Sequence, residues 1–69
     1  MTPDARARAA KAFKENPLMG ELFDALEQDR LRGIAASDLP ETEIREMNYL
    51  AIRALIEMRG QLDVWAAEA

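Results

Sequence analysis

Thirteen carboxylates are the side chains here best suited to chemistry, and some of them are grouped. Asp24, Glu27 and Asp29 lie close together, and Glu41, Glu43 and Glu46 form a second set. Paired carboxylates act as general acid and base only where a pocket drives their pKa values apart. They hold calcium when a loop of the Asp-x-Asp-x-Asp-Gly kind wraps them around the ion. No such loop is present, and a few helices totalling 69 residues leave little room for a pocket. These acids read as a solvated face and as helix-capping groups. Ser37 is the only serine, and with no histidine nothing is available to activate it. It stands where a cap or turn residue belongs. The three glycines are isolated, so no phosphate-cradling loop exists. With neither His nor Cys, the usual ligands of zinc, haem and iron–sulfur clusters are missing. The expectation is a non-enzymatic chain with no catalytic residue, no metal, no cofactor and no small-molecule substrate.

The basic residues are distributed unevenly. Residues 1–14 carry Arg6, Arg8, Lys11 and Lys14 against Asp4, a net +3, whereas residues 15–69 carry five arginines against twelve carboxylates, a net −7. An acidic body argues against broad nucleic-acid binding. Arg6, Arg8, Lys11 and Lys14 are therefore the only candidate phosphate contacts, with a basic, soluble arm or a contact for an acidic partner as the simpler reading. A helix-turn-helix is disfavoured because its recognition helix would be acidic.

These residues must be positioned by helices. Ala, Leu, Glu, Arg and Met dominate, and β-branched residues are few, so the propensities favour an all-α chain. Residues 1–16 form a basic N-terminal arm with a short helix, capped by Thr2 or Asp4, with Pro3 in its first turn. Its alanines bury little, and the segment is expected to fray or to order against a partner. Asn16-Pro17 breaks the chain, since proline removes a helical hydrogen bond and restricts the residue before it. Asn16 is a good cap for a second helix over about 17–35, whose face is Met19, Leu22, Phe23 and Leu26. A short link follows, and Asp38 with Glu41 has capping-box spacing for a long helix over about 39–66. Its stripe reads Ile44, Met47, Ala51, Ala54/Leu55, Met58, Leu62, Trp65. Residues 17–69 thus predict an antiparallel two-helix hairpin, with Leu22, Leu26, Met47, Leu55 and Leu62 between the helices and the methionines in the core.

At 1.5 Å per residue the long helix extends about 40 Å, which is too long to be the core of so small a monomer. A chain of this size commonly needs a disulfide, a metal or a partner. Without cysteine, oligomerisation is the expected support. Apolar residues outside the main stripe mark the candidate partner or oligomer interface: Leu31 on the second helix, and Tyr49, Ile52, Ile56 and Trp65 on the long one. Gly60 lies opposite the stripe, where another backbone could approach. Apolar runs are too short to span a membrane, and Met1-Thr2-Pro3-Asp4 does not open a signal peptide. A cytoplasmic location is expected.

Several segments together carry a family likeness: the Ala/Arg/Lys-rich start, Asn16-Pro17-Leu18, Leu22-Phe23-Asp24-Ala25-Leu26-Glu27, Arg45-Glu46, and the helix bearing Leu50, Arg53-Ala54-Leu55, Arg59 and Leu62. Over most of its length the chain resembles small helical proteins of the virion and packaging gene clusters of tailed phages and prophages. It departs from them at Leu31-Arg32-Gly33-Ile34, where they carry an aromatic-rich helix end. The resemblance implies a non-enzymatic role in head assembly, DNA packaging or at the connector, and it transfers no site residue. The expected function is accordingly an oligomerising adaptor or assembly protein, whose partners are its own copies, a larger protein, or both. The alternatives are a small nucleic-acid-binding module using the basic arm, and a small regulatory subunit of a larger enzyme.

Overall fold

Two local stops divide the chain into three helices. In the computed structural model, which describes residues 1–69, α1 runs Pro3–Glu15, α2 Pro17–Ala36 and α3 Thr42–Ala67, with no strand. Thr2 caps α1, its Oγ1 accepting from the Ala5 N–H at 3.2 Å. Asn16 is a one-residue joint. Its extended backbone (φ −77°, ψ 116°) closes α1, and its Oδ1 accepts from the Leu18 N–H at 3.0 Å to open α2. Pro17 takes the first helical position, where a missing N–H costs nothing.

The second stop differs from its sequence reading. α3 begins at Thr42, not near Leu39, and Asp38 does not cap it with its side chain. Half of the expected capping box forms, because the Asp38 N–H donates to Glu41 Oε1 at 2.8 Å. The reason for the late start is Arg45. Its guanidinium donates to the carbonyls of Asp38 (2.6 Å) and Leu39 (2.8 Å), the oxygens that would accept the first bonds of a helix starting at 39. It also donates to Ser37 Oγ at 3.3 Å. Ser37 ends α2, and its hydroxyl donates to the Ile34 carbonyl at 2.6 Å.

α3 is the element on which the other two rest. Asp24 of α2 reaches Arg59, and Gly33 lies against Asn48, so α2 and α3 run in opposite directions. α1 follows α2 along the same helix toward its C-terminal end, with Lys14 at Asp63 and Arg6 at Glu68. α1 and α2 touch each other little. The result is a rod of 48 × 20 × 16 Å.

The first segment is the expected short helix, and it packs along α3 within the chain. Its alanines bury more than expected: Ala7 and Ala10 are the most enclosed residues of the molecule, at 1% and 4% exposure. Side chains without a γ carbon let the α1 backbone lie close on α3.

The inward face of α3 is also rotated from its predicted position. The residues turned toward α1 and α2 are Arg45, Asn48, Ile52, Leu55, Arg59, Leu62 and Ala66, all half-buried. They repeat at steps of three and four, displaced by about one residue from Ile44, Met47, Ala51 and Met58 of the expected stripe, whose Leu55, Leu62 and Trp65 are half-buried. Of the expected core, Leu55 and Leu62 are half-buried, whereas Leu22, Leu26 and Met47 are exposed, Met47 at 70%. Met58 is exposed as well, and only Met19 of the three presumed core methionines is half-buried. The physical cause lies in the contacts: the Arg59 guanidinium sits over the Phe23 ring and Asn48 fills the space over Gly33, so polar side chains hold the line between the helices.

A Cβ on Gly33 would lie 2.8 Å from Asn48 Nδ2, an amide already donating to the Ile44 carbonyl at 2.9 Å, whereas a Cβ on Gly60 would meet nothing. Within this chain Gly60 therefore serves no close approach. Gly60→Ala is expected to raise stability by about 1 kcal/mol, the helix-propensity difference, and Gly33→Ala to gain less or to lose, as read by chemical denaturation. Ala7→Leu should overpack the α1–α3 contact and cost roughly 1–3 kcal/mol, visible as a lower Tm with α1 exchanging its amides first.

Candidate interaction surface

The polar groups singled out in the sequence are largely engaged with one another. Asp24 Oδ1 accepts from Arg59 Nη2 at 2.7 Å, and Glu27 Oε1 lies 3.2 Å from Arg59 Nε, close but out of line for a hydrogen bond. Asp29 pairs with Arg32 at 2.9 Å. Glu41 receives the Asp38 N–H, and Glu43 and Glu46 are exposed. No three acidic residues converge in a metal-binding geometry.

Two arginines lie between helices in similar ways. The Arg59 guanidinium of α3 sits 5.1 Å from the centre of the Phe23 ring on α2, beside Asp24 and Glu27. The Arg6 guanidinium of α1 sits 4.8 Å from the Trp65 ring on α3, beside Glu68 at 3.5 Å. Each arginine sets its guanidinium over an aromatic ring and pairs with a carboxylate on the partner helix or at its end, which fixes the pairing of helices more than it adds energy. Half-exposed ion pairs contribute about 0–1 kcal/mol, and cation–π contacts at such sites about 0.5–1 kcal/mol. A shallow cleft of about 190 Å³ lies at the α1–α2 joint between Phe13, Met19, Phe23 and Leu62. Its charged rim, Lys14, Asp63 and Arg59, is already paired.

The four candidate phosphate contacts are divided by this arrangement. Arg6 and Lys14 face α3 and pair with Glu68 and Asp63, the latter at 2.7 Å. Only Arg8 and Lys11 point to solvent without a carboxylate partner. The positive N-terminal segment has an acidic partner within the chain, the C-terminal end of α3.

The candidate interface residues are placed as follows. Leu31, Tyr49 and Ile56 are exposed, at 48, 56 and 47%. Ile52 is half-buried on the inward face of α3, and Trp65 is half-buried under Arg6 at the other end of the rod. In an antiparallel helix pair, turning in the same angular sense from the contact line reaches the same side of the pair. At about 100° per residue, Leu31 on α2 and Tyr49 and Ile56 on α3 fall on one side, and the structure brings those three together. Trp65 is not part of that patch.

The opposite side carries the larger apolar surface, and sequence reasoning assigned all of it but Leu18 and Leu50 to the packed face. On α3 it comprises Ile44, Met47, Leu50, Ala51, Ala54 and Met58. On α2 it comprises Leu18, Leu22 and Leu26. Apart from Ala51 all are exposed, Met47 and Leu50 at 70 and 64% and Leu18 at 65%. The α3 residues fill an arc of about 120° in which no charged residue falls between Ile44 and Met58. A signal was available: the inward stripe through Arg45, Asn48, Arg59 and Leu62 has the same period, but its arginines made it look like an outer face.

If α1 is held by its ring and carboxylate contacts, Arg6→Ala should lower stability by about 1 kcal/mol, while Arg8→Ala stays within about 0.5 kcal/mol, the usual range for an uncoupled surface position; paired urea titrations make the comparison. No helix is long and apolar enough to cross a membrane. No protein-family model, curated protein or solved structure matches this chain.

Proposed function

We propose that this chain is a non-enzymatic adaptor or assembly protein. In this reading it is a helical hairpin of α2 and α3, braced by α1, that works by oligomerising or by binding a larger protein through its apolar helix faces. The observation that carries the reading is an imbalance. Only Ala7, Ala10 and Phe23 are buried, while fourteen large apolar side chains are exposed, most of them on the flanks of α2 and α3. A fully buried Leu- or Phe-sized side chain contributes about 1.5–3 kcal/mol, so three buried residues, two of them alanine, are thin support against the ordering entropy of 69 residues. Contiguous exposed apolar surface of this kind belongs to proteins that bury it on a partner. The resemblance to small virion and packaging proteins of tailed phages supplies a setting, head assembly or the connector, in which such a part is used.

Nucleic-acid binding finds less support, because Arg6 and Lys14 are engaged by Glu68 and Asp63. Sedimentation equilibrium from about 1 µM to 1 mM, combined with melting at each concentration, tests the proposal. The expected result is a mass above the 7.8 kDa monomer and a Tm that rises with concentration, as mass action requires. A monomer throughout, with a constant high Tm, would overturn the self-associating form of the reading.

A further inference from the structure

We infer that the face formed by Ile44, Met47, Ala51, Ala54 and Met58 of α3, with Leu22 and Leu26 of α2 beside it, is the interface of a two-fold homodimer in which α3 packs antiparallel on its own copy. This rests on the reading of the chain as an assembling protein, and it names the partner and the face.

The first argument is area. The chain exposes 5263 Å², whereas a compact monomer of 7.8 kDa exposes roughly 4,400 Å². The excess, about 900 Å², matches the ~800 Å² that each partner buries in a standard interface. Size points the same way: the radius of gyration is 15.3 Å against about 11 Å for a compact domain of this length. A second rod laid side by side thickens the thin dimensions, 20 and 16 Å, without lengthening the long one.

The second argument is self-complementarity. A two-fold interface places the same patch on both sides, so its residues must pair with one another when α3 is reversed. Ile44 and Met58 stand seven positions on either side of Ala51. Reversal about Ala51 sets Ile44 against the partner's Met58 and brings Met47 beside the partner's Ala54. Ala51 and Ala54 at the centre let the backbones approach, as antiparallel helix packing of small residues does. No charge falls on the stripe over this span, so reversal buries no unpaired ion. The Leu31, Tyr49, Ile56 side has three exposed residues and no comparable symmetry.

The chain has no cysteine, so single-cysteine variants report proximity cleanly. Under mild oxidation Ala51→Cys should cross-link to itself as a dimer, because only near the axis do two equivalent Cα atoms come within disulfide reach. Ile44→Cys mixed with Met58→Cys should give the mixed dimer, while Ile56→Cys should stay uncross-linked. Met47→Glu, at a site already 70% exposed in the protomer, should weaken the dimer at least about 100-fold in sedimentation by burying an unpaired carboxylate. Should dimer mass persist with Ile56→Cys cross-linking and Ala51→Cys not, the assigned face is wrong while the assembling role survives. A chain that is monomeric at every concentration overturns the dimer and, with it, the self-associating form of that reading.

Discussion

A length mismatch governs this molecule. At 1.5 Å per residue, the 26 residues of α3 extend about 39 Å and the 20 of α2 about 30 Å. A single antiparallel neighbour cannot cover the long helix, and its uncovered part is the C-terminal end bearing Asp63, Trp65 and Glu68. α1 covers that end. It can do so because the chain turns at Asn16 and stops after one residue, which keeps α1 running along α3 in the same sense as α2. The alanines that made α1 look weak are what allow it to lie close.

The second consequence is that the line between the helices is held by amphipathic side chains. Arg59 and Arg6 set their guanidinium groups over Phe23 and Trp65, and Arg45 sends its own to the carbonyls of Asp38 and Leu39. Such residues cover apolar surface while keeping the charged head near water. They specify which helix lies where: Arg59 selects Phe23 with Asp24 and Glu27, Arg6 selects Trp65 with Glu68, and Arg45 holds the α2–α3 turn. They supply little hydrophobic energy, and the leucines and methionines that would supply more are on the outside.

That outward placement links fold to function. In the proposed assembly, a protomer with so few buried residues would gain stability from a partner covering its apolar flank, coupling folding to association through mass action. The carboxylates, by contrast, are spent on arginine pairs and on the Asp38 turn, or stand in solvent, and no group of them faces an enclosed space.

Local chemistry in the sequence determined the helical class, the break at Asn16-Pro17 and the presence of a turn before the long helix, because each depends on residues within one or two turns of one another. The pairing of Asp38 with Glu41 was legible for the same reason. Tertiary structure alone decided which face of α3 points inward. Periodicity fixes the angles between residues on one helix, but not the rotation of that helix toward a neighbour, and here two stripes one residue apart share the same period. Counting apolar residues groups Leu55 and Leu62 with Ile44, Met47, Ala51 and Met58; the contacts group them with Arg45, Asn48, Ile52 and Arg59, because Gly33 leaves room for Asn48 and Phe23 offers a ring to Arg59. The start of α3 at Thr42 and the docking of α1 were likewise set by groups distant in sequence or across a turn, Arg45 and Trp65 among them, whose partners no local pattern reveals.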